Sequence, residues 1–283
     1  NMPKIRQTQL TWGEGDAALR GVLRRATREG LATFLVPRIE SPDFFRPPFP
    51  FRGDIQFATA AEWDRFHDGM ERMILHYAKL AQEEGVALLG LGLELKHSVR
   101  GHPQRWRQII GNVRKVYRGK ITYSANWWSE WDEVTFWDAL DFIGIGAYFE
   151  LKPQPPESPD TKPGTASRKQ LLARWRPIRE RLRRMADQYG RRVIFTEVGY
   201  AGYKDCAERP WEWAGKEEKG VTLDHQAQAR AYGALFDMVR DEPCVAGLFV
   251  WRFYTNPGGV GGWEYGLQGR PAEKVLRGAY GVR

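Results

Sequence analysis

The sequence predicts an α/β fold built on parallel strands, and three of its features carry that prediction. Six short runs rich in β-branched and aromatic residues have the continuous apolarity of strands buried on both faces. Helix-patterned stretches separate most of them, and strands alternating with helices assemble into a parallel sheet. The segments after the strands are long and aromatic, whereas those entering them are brief, as at 83–86 and 189–193. Function is therefore expected at the strands' C-terminal ends. The alternation leaves open whether the sheet is doubly wound or closes into a (β/α)-barrel. No glycine-rich phosphate loop follows any strand, which weighs against a nucleotide-binding sheet.

Along the chain, a helix over 16–29 precedes a strand over 32–40. The stretch 62–84 spaces Trp63, Phe66, Met70, Ile74, Tyr77 and Ala81 at helical intervals and leads into a strand over 87–95. A helix over 104–117 feeds a strand over 120–127, followed by a strand over 142–149. The stretch 151–167 holds five prolines and reads as an extended loop wall, because strand–helix alternation resumes beyond it. In 168–192, Leu171, Trp175, Ile178, Leu182 and Met185 form one apolar stripe, which predicts a single amphipathic helix. Strands over 193–200 and 246–254 flank a last helix over 223–240.

At 283 residues and 42% hydrophobic, the chain is long enough for one large core, so a single domain over 1–283 is expected. The apolar runs at 86–95 and 245–251 fall short of the roughly 20 residues of a membrane span, which predicts a soluble protein. No basic-then-apolar leader follows Asn1 and Met2, and the compartment stays open between secreted and cytoplasmic. Two cysteines, Cys206 and Cys244, are too few for a disulfide framework or a thiolate metal site, though one isolated bridge is not excluded. Five histidines lack ligand spacing, so neither a metal nor another cofactor is expected. The net charge of +8 equals the surplus in 168–192, where ten Lys or Arg stand against two acids. A solvated outer helix face explains such a surplus more simply than a nucleic-acid surface.

Aromatic residues crowd the segments after the strands: Phe44, Phe45, Phe49, Phe51 and Phe57, then Trp127, Trp128 and Trp131, then Trp211 and Trp213, then Trp251 and Trp263. Exposed rings give pyranose C–H faces a rigid apolar surface, so a groove lined by some of them suits an oligo- or polysaccharide. About half are expected only to close the top of the sheet. Two acids stand at the rim. Glu94 ends Leu88-Leu89-Gly90-Leu91-Gly92-Leu93-Glu94, and Glu197 ends Val193-Ile194-Phe195-Thr196-Glu197. An acid set at the end of a buried strand is costly without a purpose. Two of them fit glycoside hydrolysis, in which one carboxylic acid protonates the leaving oxygen and one carboxylate meets the anomeric carbon.

The segments Arg52-Gly53-Asp54-Ile55, Gly92-Leu93-Glu94-Leu95-Lys96, Tyr123-Ser124-Ala125-Asn126-Trp127, Gly144-Ile145-Gly146-Ala147-Tyr148-Phe149 and Phe195-Thr196-Glu197-Val198-Gly199-Tyr200 resemble glycoside hydrolase family 113, a β-mannanase family. The resemblance extends over nearly the whole chain and implies a (β/α)8 TIM barrel of the retaining clan whose acids lie on strands four and seven. Glu94 is then the general acid/base and Glu197 the nucleophile, with carboxyls about 5–5.5 Å apart. Counting back from Glu94 makes the first visible strand the third, so the barrel is expected to lack, or to have truncated, its first two strands. Tyr148 is implied as a donor that keeps Glu197 ionised, and Trp251 as the floor of the subsite for the scissile sugar. Asn126 and Trp127 are candidates to contact sugar hydroxyls or rings, with loop packing as the alternative, and Lys96 and His97, which follow the acid closely, are candidates to touch substrate, with a solvent-facing placement as the alternative. Burial and a nearby negative charge are expected to hold the proton on Glu94.

Two positions depart from the family pattern: Leu93 replaces a polar residue before the acid/base, and Gly146 an acid two residues before the tyrosine. The leading expectation is an endo-acting β-1,4-mannan hydrolase. Its alternatives are a hydrolase of another β-glycan, a non-catalytic carbohydrate-binding barrel, and a binder of anionic polymer through 168–192.

Overall fold

The computed structural model describes residues 15–40, 51–153, 166–212, 221–254 and 261–281. The chain forms two compact units, Asn1–Gly144 and Ile145–Arg283.

The first unit runs α1 (Asp16–Arg28), β1 (Phe34–Leu35), α2 (Ala60–Glu83), β2 (Leu88–Leu93), α3 (Lys96–Gly101), α4 (Pro103–Val116) and β3 (Lys120–Asn126), and β4 (Ile143–Gly146) straddles its end. Strand β2 is central and all six of its residues are buried. It pairs in parallel with β1 through Phe34 and Leu88, and with β3 from Leu88 opposite Lys120 to Leu93 opposite Ser124. The register slips between Gly90 and Leu93, and Gly92 there admits no larger residue, because a Cβ would lie 2.9 Å from both the Trp106 and Tyr123 rings. Helix α2 starts on a capping box in which Thr59 and Glu62 satisfy each other's backbone N–H, an arrangement worth about 1 kcal/mol. Its buried stripe of Phe66, Met70, Ile74, Ala78 and Ala81 follows the helical spacing read from the sequence. At its far end Glu84 binds Arg20 and Arg24 of α1, which hold its carboxyl down at about 2.

The second unit contains α5 (Arg168–Arg174), α6 (Arg176–Tyr189), β5 (Val193–Val198), α7 (His225–Arg240), β6 (Val245–Val250) and α8 (Pro271–Ala279). Strands β5 and β6 are parallel, Val193 opposite Val245 and Val198 opposite Val250. Their packing rests on Trp175, Phe195 and Phe149, all buried and in ring contact. Among the described residues no helix is long and apolar enough to cross a membrane. Cys206 and Cys244 are free thiols.

Several elements differ from the sequence reading. Only Phe34–Leu35 pair as a strand within 32–40, and β6 is half-buried beyond Val245 rather than fully buried. The stripe at 168–192 is carried by two helices, because Pro177 sits in the first turn of α6, where its missing N–H is harmless, and cannot continue α5. Arg174, read as part of a solvated face, is 3% exposed and donates to the Leu151 carbonyl at 2.7 Å and to Glu208 at 3.2 Å. Arg179 and Arg183 both converge on the buried Glu242, and Arg168 pairs with Asp237. The stretches 1–12 and 154–165 lie outside the described residues, as do Phe44, Phe45, Phe49 and Trp213.

Candidate active site

In the first unit the site begins where β2 ends. Glu94 follows Leu93 with φ +52°, in the left-handed region that a side chain rarely adopts, at a cost of about 1 kcal/mol or more. The backbone is held there from both sides: the Glu94 N–H donates to the Ser124 carbonyl at 2.9 Å, and the Leu95 N–H to the Tyr123 hydroxyl at 2.6 Å. The turn brings the Glu94 carboxylate between two donors. Arg52 Nη1 donates to Oε2 at 2.9 Å, and Asn126 Nδ2 donates to Oε1 at 3.0 Å. Arg52 is 8% exposed, also donates to Glu40, and has its guanidinium 5.1 Å from the Phe51 ring centroid. The expected cause of proton retention on Glu94, a neighbouring negative charge, is thus joined by its opposite, since a guanidinium on the carboxylate favours the ionised form.

Behind Asn126 lies a second carboxyl that sequence reasoning missed. Glu130 is fully buried, accepts the Asn126 N–H on Oε2 at 2.7 Å, and accepts the Tyr123 hydroxyl on Oε1 at 2.5 Å. Burial raises its carboxyl to about 8; the Asn126 and Tyr123 hydrogen bonds oppose that rise, the charge of Glu94 adds to it, and Lys96 opposes it.

The other predicted residues of this unit occupy distinct positions. Trp127 is half-buried, and Trp128 projects into solvent at 73% exposure while its N–H donates to Asn126 Oδ1 at 2.8 Å. Trp131, read as a groove candidate, is instead fully buried in the core, because the turn after β3 folds it inward. Phe57 packs on Trp63 and Phe66 and serves as structure. Lys96 Nζ stands 3.8 Å from Asp54, and His97 shares a hydrogen bond with Gln56 at 2.8 Å.

In the second unit Glu197 is the half-buried residue of an otherwise buried β5. Its Oε2 accepts the Tyr148 hydroxyl at 3.1 Å, and its carbonyl accepts the Ala147 N–H at 2.6 Å. A hydrogen bond from a neutral hydroxyl favours the carboxylate without adding charge. Two residues on, Gly199 lets the chain pass the end of β6, since a Cβ would fall 2.4 Å from the Trp251 carbonyl. Trp251, half-buried, donates its N–H to Val198 and carries Arg252 5.3 Å from its ring centroid. Arg252 also lies 4.3 Å from the Tyr254 ring, and the Tyr254 hydroxyl donates to Glu264. Trp211 and Trp263 are half-buried. Among the described residues no cluster of three or more His, Cys, Asp or Glu side chains could hold a metal ion.

Each unit thus carries a carboxyl at the end of a parallel strand, one held by a cation and an amide and the other met by a phenol, and carboxyls are the groups that acid–base cleavage of a glycosidic bond uses. The class this defines is a glycoside hydrolase on an α/β scaffold. The chain belongs to glycoside hydrolase family 113, whose model matches residues 4–257. Among solved structures it is similar to a GH113 β-mannanase from Alicyclobacillus acidocaldarius in complex with ManMIm, at 25% identity and a TM-score of 0.77, covering 96% of this chain and 80% of that one. A second GH113 β-1,4-mannanase, solved as a complex, gives 25% identity and a TM-score of 0.75 over 95% of this chain and 80% of that one. Fungal β-1,4-galactanases share the fold at 13% identity and a TM-score of 0.56, over 93% of this chain and 80% of theirs. No curated protein sequence matches.

Proposed function

We propose that this chain is a retaining, endo-acting hydrolase of β-linked hexose polymers, with β-1,4-mannan as its first substrate, and that residues 1–283 act as one catalytic (β/α)-barrel domain. The observation that carries the reading is the setting of the two strand-end glutamates: Glu197 accepts the Tyr148 hydroxyl, whereas Glu94 sits between Arg52 and Asn126. Under this reading the Glu197 carboxylate attacks the anomeric carbon while the Glu94 carboxyl gives its proton to the departing glycosidic oxygen. A water, relieved of a proton by the Glu94 carboxylate, then displaces Glu197 from the glycosyl-enzyme.

Glu94 must thus be an acid in the first step and a base in the second, and Arg52 favours the second form. Tyr148 is the donor that keeps Glu197 charged. Trp251 and Trp127 serve as sugar platforms, and Asn126 and Lys96 as contacts to sugar hydroxyls. That the similar solved structures are β-mannanases supports the choice of mannan. The buried Leu93 and Gly146, which supply no polar side chain beside the acids, favour a second reading in which another β-glycan is cleaved.

Hydrolysis of matched manno-, gluco- and xylo-oligosaccharides, followed by reducing ends and product anomer, tests the reading. Release of mannose oligomers with retained configuration, abolished in Glu197→Gln, is the expected result. Inverted product, or turnover that survives the substitution, rules the mechanism out. Release from the gluco-series alone moves the substrate to the second reading.

A further inference from the structure

Glu130 touches neither solvent nor any surface of the site, yet both of its carboxyl oxygens lead to Glu94. On one side Oε2 accepts the Asn126 N–H at 2.7 Å, and the Asn126 amide donates to Glu94 Oε1 at 3.0 Å. On the other side Oε1 accepts the Tyr123 hydroxyl at 2.5 Å, and that hydroxyl accepts the Leu95 N–H at 2.6 Å, from the peptide that follows Glu94. A buried acid is costly to fold around, and a loop that only needed closing would be served by an uncharged residue.

We infer that Glu130 is a positioning residue for Glu94, clamping the side chain through Asn126 and the left-handed backbone turn through Tyr123 and Leu95. The inference rests on the proposed acid/base role of Glu94. The charged and titratable groups that face Glu130 are Tyr123 from β3, Glu94 from the end of β2 and Lys96 from α3. Glu94 and Glu130 disfavour each other's ionised form, so Glu130 sets the pH range over which Glu94 can hold a proton as well as its aim. Its carboxyl, raised to about 8 by burial first, changes charge within the working range of an acid/base catalyst.

This arrangement separates from a purely structural role by leaving group. Protonation matters for a sugar alkoxide and little for a nitrophenolate, so a misaimed acid is silent in kcat/KM, which reports formation of the glycosyl-enzyme, on an activated substrate. Glu130→Gln retains shape and one acceptor but puts an NH2 where an acceptor is needed. On a manno-oligosaccharide its kcat/KM is expected to fall about 10- to 100-fold. On a nitrophenyl β-mannoside the loss of kcat/KM should stay below about threefold, and the alkaline limb of the pH profile of kcat/KM on the oligosaccharide should move.

Tyr123→Phe severs the Leu95 arm alone, preserves the ring packing, and is expected to show the same substrate split at smaller size. Equal losses of kcat/KM on both substrates in a folded variant, or no change in kcat/KM and its pH profile, would overturn the inference. Should Glu130→Gln fail to fold, Tyr123→Phe decides by the same criterion. Glu94→Gln is run beside them: if it shows no dependence on leaving group, the acid/base reading of Glu94 itself fails, whatever Glu130 does.

Discussion

Glu94 and Glu197 are the same side chain at corresponding ends of two strands, and the structure surrounds them differently. Glu197 lies within β5, whose pairing with β6 slips between Phe195 and Val198, and accepts the Tyr148 hydroxyl on its carboxylate. Glu94 leaves β2 through a left-handed turn and meets a guanidinium and an amide, with a second, buried carboxyl behind the amide. A hydroxyl donor suits a group that needs only one charge state. A cation and a second carboxyl suit the group proposed to change state twice per turnover, because the cation favours its ionised form and the carboxyl opposes it.

That contrast can be broken most directly at Glu197. Glu197→Gln is expected to lower kcat about 10⁴-fold on every substrate, leaving groups included, with secondary structure unchanged by circular dichroism. A loss confined to poor leaving groups would exchange the two roles. Glu94→Gln should cost about 10² to 10⁴-fold in kcat/KM on oligosaccharides and recover much of that on a nitrophenyl glycoside, an effect read from paired kcat/KM values. Tyr148→Phe removes one bond to a charged group and should lower kcat about tenfold; an unchanged rate would mean that Glu197 does not depend on the Tyr148 hydroxyl.

The smallest expected effect is on stability. Because the folded-state carboxyl of Glu130 is raised to about 8, folding favours its neutral form, so its contribution is complete at acid pH and is lost as pH climbs toward that value. The Tm of the parent should therefore decline relative to Glu130→Gln between the ordinary carboxyl range and mildly alkaline pH. Parallel melting curves for the two would show that Glu130 does not titrate there.

Which of these residues could be read in advance follows from how far their partners lie along the chain. Glu94 and Glu197 stood out because each interrupts an apolar run that only a buried strand explains. The α2 stripe was legible for the same local reason. Arg52 acts on Glu94 across 42 residues, and nothing in its neighbourhood announces the partner. Glu130 gave no signal either, being one acid in a tryptophan-rich turn whose inward path is set by the packing of Trp131. The split between α5 and α6 was readable from Pro177, but the stripe continued in phase across it and concealed the break. Trp131 and Arg174 were misplaced because composition cannot say which side of a turn or helix faces the core.

The left-handed turn at Glu94 has a consequence for the directed evolution of this chain. Glycine or asparagine would suit that backbone better than glutamate does. Selection for heat tolerance without a demand for turnover would thus tend to discard this glutamate early, so any campaign to harden the protein has to screen for sugar release at every round.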